Sequence, residues 1–315
     1  MNFFKKIPAG NMMVPLLVSA LIYTIFGQGP AIGDFTEALF TAKSVRTLMG
    51  LTLMAAGRQI DFSNIREVIK RAGVISLARI LTGLAIVLGV GAIFGNDGVF
   101  GLSVLALACG LLNHNNSVFI SLNINYGDRI DRALAGFGSL ITGPMIAMVT
   151  LGMSGLADIP FLAMVDSIMP VFLGILIGHF IRGAREVFAT SQKMIIPFLG
   201  FAMGASIDLR NIYRAGLSGL ILAIIVILVI GSVTVFFDRK INKRPGHAGW
   251  AISTTGANAV AVPAMVAAID PVWEAYVPLA TAQVAASVVI TIIVTPMITD
   301  FWAKRFTKEV EDGKD

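Results

Sequence analysis

Polar side chains crowd into two short stretches of a very apolar chain. The first is Asn113-His-Asn-Asn-Ser117, directly after the apolar run 101–112, and the second is Ser253-Thr-Thr-Gly-Ala-Asn258. Amide and hydroxyl groups of this kind can bind sugar hydroxyls, a carboxylate or a small cation. The alternative is that they join helices through hydrogen bonds, which is common inside membranes.

The composition predicts that both stretches lie in a lipid bilayer. Of 315 residues, 56% are hydrophobic and 14% charged, whereas soluble domains carry about 25% charged residues. The 32 glycines and 12 prolines also suit helical membrane domains. Cys109 is the single cysteine, so no intramolecular disulfide can form. The chain lacks a basic stripe with interleaved aromatic residues and lacks a glycine-rich nucleotide motif, so we expect neither nucleic acid nor nucleotide as a partner.

Ten apolar runs are long enough to be candidate transmembrane helices, which predicts an all-α integral membrane protein. The runs are 11–27, 45–58, 72–95, 99–124, 131–154, 160–181, 193–207, 215–237, 248–269 and 274–301. Ten spans place both termini on one side, and most of the 24 Lys and Arg residues fall on that side. By the positive-inside rule both termini are cytoplasmic.

The two halves of the chain share a motif in inverted orientation. Gly57-Arg-Gln-Ile-Asp-Phe-Ser-Asn-Ile65 ends span 2 and recurs as Gly204-Ala-Ser-Ile-Asp-Leu-Arg-Asn-Ile212 at the end of span 7, on the opposite face. Weaker echoes pair 14–15 with 169–170 and 144–146 with 296–298. We therefore predict a 5+5 inverted repeat, 1–155 and 156–315, an arrangement typical of secondary transporters with alternating access.

The two polar stretches occupy equivalent positions under this repeat, in the middle of spans 4 and 9. A broken helix is tolerated in a membrane where its freed backbone groups line a cavity or are buried in protein. Paired breaks of this kind indicate a transport site, and Gly256 would permit close backbone approach. The predicted substrate-binding residues are Asn113, Asn115, Asn116, Ser117, Thr254, Thr255, Gly256, Asn258 and the intramembrane Arg79.

Three segments resemble the 2-keto-3-deoxygluconate permease family: 6–15, 197–209 and 253–263. The resemblance implies a ten-helix fold similar to bile acid sodium symporters, with a panel domain, a core domain, and helices 4 and 9 crossing where they unwind. It also implies proton-coupled uptake of a sugar-acid anion across the bacterial inner membrane. Where the family carries a Thr-Asn-Gly-Gly turn, this chain has His114-Asn-Asn-Ser117, which leaves the exact sugar acid open.

The coupling ion is not fixed by the sequence. We expect H⁺, with Na⁺ as the alternative, and no bound cofactor. The candidate ion-coupling residues are His114, Asp61, Asp208, Asp166, Ser139, Thr142 and Gln283. An intramembrane enzyme or a channel is disfavoured because the histidines form no metal-binding pattern and no filter loop is recognisable. One chain does not define its oligomeric state.

Overall fold

A computed structural model describes residues 10–27, 31–58, 65–126, 144–153, 155–181, 183–205 and 212–312. Within these ranges the regular structure is helical and contains no strand. The α-helices are α1 Gly10–Phe26, α2 Asp34–Phe40, α3 Val45–Arg58, α4 Ile65–Phe94, α5 Val104–Leu112, α6 Asn116–Tyr126, α7 Pro144–Met153, α8 Phe161–Phe180, α9 Ala184–Gly204, α10 Ile212–Ile224, α11 Gly231–Lys240, α12 His247–Ala251, α13 Val262–Ala267 and α14 Val277–Asp312.

Short 3₁₀ and π-helical segments join several of these helices. A π-helical segment, Ile225–Ile230, links α10 to α11, and 3₁₀ turns cover Ala257–Ala261 before α13 and Pro271–Tyr276 before α14. Such deviations often mark functional positions in a helix.

Three helical stretches are long and apolar enough to cross a membrane: Ile69–Phe94, Gly216–Lys240 and Pro271–Phe306. Shorter apolar helices include Val14–Phe26, Met169–Phe180 and Ala257–Ala267. Large apolar side chains such as Leu81 and Leu173 are exposed on the outside of the protein, as expected for side chains that face lipid. The chain is thus an integral membrane protein, while the ten-span count and the repeat remain predictions.

Helix α5 is the most deeply buried element, since every residue from Val104 to Leu112 is buried. Its first turn is capped by Ser103, whose hydroxyl accepts a hydrogen bond from the backbone N–H of Ala106 at 3.2 Å. The helix ends at Asn113, which has extended backbone angles. A buried helix that stops inside the protein must place its last carbonyl groups against donors from other elements.

The helices pack as two groups. In the first, α1 packs against α9, and α3 packs against both α8 and α9. In the second, α4 packs against α5 and α11, α10 packs against α14, and α12 packs against α6 and α14. Helix α7 contacts α5 of the second group and α8 of the first. Both polar stretches belong to the second group.

Candidate functional site

The two polar stretches interrupt their helices and meet. The first break, 113–115, separates α5 from α6, and the second, 252–256, separates α12 from the 3₁₀ turn at 257. The backbone N–H of Gly256 donates to the carbonyl of Asn113 at 2.8 Å. In return, the N–H of Asn115 donates to the Thr254 hydroxyl at 2.9 Å. Both polar stretches therefore interrupt helices, and the two interruptions are hydrogen-bonded to each other.

Gly256 permits this close approach. A Cβ atom added there would lie 2.7 Å from the carbonyl oxygen of His114 and 2.6 Å from Oδ1 of Asn258. A methyl group cannot fit at these distances unless the two breaks separate. A glycine is required at this position by sterics rather than by its own backbone angles.

Arg79 reaches the same place from the middle of α4 and is only 2% exposed. Its guanidinium group donates to four backbone carbonyls: Ile252 at 2.6 Å, Thr254 at 3.0 Å, Asn113 at 3.1 Å and Gly110 at 3.3 Å. The Ile252 and Thr254 carbonyls belong to the second break, the Asn113 carbonyl belongs to the first, and the Gly110 carbonyl lies in the last turn of α5. Among the described residues, no carboxylate forms an ion pair with Arg79.

Side chains of the first break also form hydrogen bonds with the two helices that it separates, α5 and α6. Asn113 donates from Nδ2 to the carbonyl of Cys109 at 3.1 Å, while its buried Oδ1 has no hydrogen-bond partner in the described part of the chain. Asn115 caps α6, because its Oδ1 accepts from the N–H of Val118 at 3.2 Å. His114 is buried, its ring lies edge-on to Phe119 with centroids 5.6 Å apart, and none of the described residues forms a hydrogen bond with its Nε2.

The second break is supported by a row of hydroxyl groups on α14 that the sequence analysis did not identify. The N–H of Thr255 donates to the Thr291 hydroxyl at 3.0 Å, and the hydroxyl groups of Thr255 and Ser287 lie 2.7 Å apart. Thr295 donates to the carbonyl of Ser253 at 2.8 Å. The signal was present in the sequence, because five buried polar residues repeat every fourth position and so share one helix face: Gln283, Ser287, Thr291, Thr295 and Thr299.

The other residues predicted to bind substrate lie just after the two breaks. Asn116 begins α6 and is half-buried, Ser117 follows it in the first turn, and Asn258 lies half-buried in the 3₁₀ turn. Of the residues predicted to couple ion movement, His114 lies in the first break. Asp166 is exposed on α8.

Gln283 is buried one turn before Ser287, where its Nε2 donates to the Gly101 carbonyl and to the Ser218 hydroxyl. It lines a cleft of about 400 Å³ formed with residues 100–101, 217–218, 275 and 278–279. Asp61, Ser139, Thr142 and Asp208 lie outside the described residues.

The two hydrogen-bonded breaks, 113–115 and 252–256, together with the helix ends beside them, form what we call the crossover, and the crossover has a defined polarity. The C-terminal ends of α5 and α12 carry partial negative charge and converge on the Arg79 guanidinium. The N-terminal ends of α6 and of the turn at Ala257 carry partial positive charge. Neither break contains an acidic residue. The N-terminal ends are therefore suited to an anion, and the amide groups beside them to hydroxyl groups. Within the described residues, no cluster of His, Cys, Asp or Glu could hold a metal ion.

Comparison with known proteins gives a consistent result along the whole chain. The model of the 2-keto-3-deoxygluconate permease family matches residues 1–308. The chain is 34% identical over 305 residues to 2-keto-3-deoxygluconate permease 1 of Salmonella typhimurium, covering 97% of this chain and 96% of that one. It is 33% identical over 307 residues to 2-keto-3-deoxygluconate permease of Xanthomonas axonopodis pv. citri, covering 96% of each.

A third relative, 2-keto-3-deoxygluconate permease of Escherichia coli O139:H28, is 31% identical over 307 residues, which cover 96% of this chain and 93% of that one. Matches of this length include both breaks, α4 with Arg79 and the hydroxyl row of α14. The family is one of transporters rather than enzymes. The chain, which is apolar and helical over its described residues, belongs to the 2-keto-3-deoxygluconate permease family.

Proposed function

We propose that this protein is a secondary active symporter that imports a sugar-acid anion, 2-keto-3-deoxygluconate, together with H⁺. The observation that carries the proposal is the direct hydrogen bonding of the two helix breaks, Gly256 to Asn113 and Asn115 to Thr254. Paired broken helices that meet inside a membrane protein are typical of transporter binding sites. The names of the relatives supply the substrate.

The chemistry of the crossover suits this substrate. The carboxylate of a sugar acid would lie at the N-terminal end of α6, where N–H groups and the helix dipole favour negative charge. Its hydroxyl groups would bind the amides of Asn113, Asn116 and Asn258. The buried Oδ1 of Asn113 has no hydrogen-bond partner among the described residues, so a substrate hydroxyl would satisfy it.

Alternating access would come from the pseudo-symmetric halves 1–155 and 156–315. The predicted repeat relates each packing in one half to a packing in the other. The packing of α1 on α9 corresponds to that of α8 on α3, and the packing of α4 on α5 corresponds to that of α11 on α12. Both members of each pair occur. The group α1, α3, α8 and α9 would act as the panel, and the group that holds the breaks as the core. Movement of one against the other would open the crossover to each side in turn.

Uptake into proteoliposomes tests the function directly. We expect labelled 2-keto-3-deoxygluconate to accumulate when an inward proton gradient is imposed, and to do so without sodium. In a second arm, a sodium gradient is imposed at constant pH. Accumulation that requires sodium would contradict proton coupling, and failure to accumulate under either gradient, with correctly inserted protein, would contradict the substrate assignment.

The protein would lie in the bacterial inner membrane with both termini in the cytoplasm. The segregation of Lys and Arg to the terminal side supports this orientation. A proton taken up with the substrate would need a titratable acceptor, for which His114 is the candidate at the crossover and Asp61 and Asp208 are the candidates in the repeated motif.

A further inference from the structure

The four carbonyls around Arg79 form a ligand set of the kind that binds a small cation. Gly110 and Asn113 lie at the C-terminal end of α5, and Ile252 and Thr254 lie just beyond the C-terminal end of α12. Freed carbonyls at half-helix C-termini are the groups that coordinate coupling cations in broken-helix transporters. Here the donors of one side chain occupy all four.

Arginine is suited to hold such a position permanently. Its guanidinium group stays charged inside proteins and presents five N–H donors in a fixed plane. A buried cation is costly unless it is paired or hydrogen-bonded. The part of the chain that the structure describes supplies no carboxylate partner, so the converging helix ends and their carbonyls provide the compensation.

We propose that the Arg79 guanidinium is a tethered cation: it occupies the carbonyl site that an exchangeable inorganic cation would otherwise fill, and it holds the two breaks together in every state of the transport cycle. Arg79 is thus a positioning residue rather than a ligand of the substrate carboxylate. The carbonyl site cannot release its cation, so Na⁺ does not exchange there. The positive charge remains at the crossover when the substrate leaves.

Substitution with rescue by a free cation tests this inference, and the stability readout does not depend on knowing the substrate. Arg79→Ala removes the guanidinium and leaves a space of matching shape. We expect its melting temperature to fall and to recover when millimolar guanidinium is added to the purified protein. Tetramethylammonium, a cation without hydrogen-bond donors, should not restore it. The wild-type protein should show no shift with guanidinium or with Na⁺ at the same concentrations.

A matched control separates this effect from general destabilisation. Asn123→Ala removes another fully buried polar side chain, which donates to the Phe119 carbonyl within α6. Its melting temperature should not respond to guanidinium. A rescue of both variants to the same extent, or of neither, would overturn the proposal.

A second pair of variants applies if Arg79→Ala fails to fold. Arg79→Lys keeps a cation with three donors, whereas Arg79→Gln keeps a comparable length without charge. We expect Arg79→Lys to retain more of the uptake rate and of the melting temperature, and Arg79→Gln to lose uptake by about tenfold or more. Equal behaviour of the two would show that charge is irrelevant at this site and would overturn the proposal.

Discussion

Single residues at the crossover have separable roles, and Asn115 illustrates this. Its side-chain oxygen caps α6, and its backbone N–H binds Thr254. We expect Asn115→Ala to cost about 1 kcal/mol of helix stability through the lost cap and to lower uptake severalfold. Asn115→Asp preserves the capping oxygen and adds a negative charge, so it should keep the melting temperature while uptake of an anion falls further.

Initial uptake rates and melting temperatures of the two variants check this prediction. Asn115→Ser serves as the control, because serine also caps helices and carries no charge. Normal membrane expression of Asn115→Ala with wild-type uptake would contradict a role for this break in transport.

Gly256 gives a prediction that depends on space alone. Gly256→Ala places a methyl group within 2.7 Å of the His114 carbonyl, so the breaks must move apart and uptake should fall about tenfold or more. Gly73→Ala in α4 is the matched control, because nothing lies within 4 Å of its added Cβ. That variant should transport normally and melt at the same or a slightly higher temperature. Equal uptake by both variants would contradict the close-approach argument.

At the scale of elements, α14 acts as a support for the second break. Thr291→Val is nearly isosteric but removes the acceptor for the N–H of Thr255, and an unsatisfied buried donor costs about 1–3 kcal/mol. Thr299→Val removes a hydroxyl that donates only within its own helix, to Thr295. We expect a clear drop in melting temperature and uptake for the first and little change for the second. Equal melting temperatures of the two variants in thermal unfolding would contradict the support role of α14.

The sequence predicted the breaks well and their hydrogen-bond partners poorly. Asn113 to Ser117 stood out because polar residues are rare in an apolar run, and the structure interrupts the helix at 113–115. Arg79 stood out for the same reason. Its actual partners could not be predicted, because backbone carbonyls have no sequence signature and which helix ends converge depends on packing across the whole fold.

The hydroxyl row of α14 has a sequence pattern, but each of its residues is uninformative when taken alone. Thr and Ser at every fourth position mark one face of a helix, but isolated hydroxyls in a membrane helix are common, so only the full row carries information. Gln283 was predicted to couple ion movement, and the structure joins it to Gly101 and Ser218 instead of to the break. Its role in coupling stays a prediction.

The whole molecule gives a prediction about orientation. With ten spans, residue 32 lies on the outer side and residue 243 on the cytoplasmic side. Both Ile32 and Lys243 are exposed, and the native Cys109 is buried. We expect Ile32→Cys to react with a membrane-impermeant maleimide in cells with a permeabilised outer membrane, and Lys243→Cys to react only after the inner membrane is disrupted. The reverse pattern would contradict the assigned orientation, and labelling of both in intact inner membranes would contradict the ten-span count.

The long sequence separation between Arg79 and half of its partners has a consequence for biosynthesis. The carbonyls of Ile252 and Thr254 follow Arg79 by 173 and 175 residues. A ribosome working at about 5–20 residues per second needs roughly ten to thirty-five seconds to cover that separation. During this interval only two of the four carbonyl partners, those of Gly110 and Asn113, have been synthesised. An arginine at the centre of a membrane helix costs about 3 kcal/mol. Arrival of the second break ends this period, so the last polar stretch to be synthesised also completes the insertion of one of the first helices.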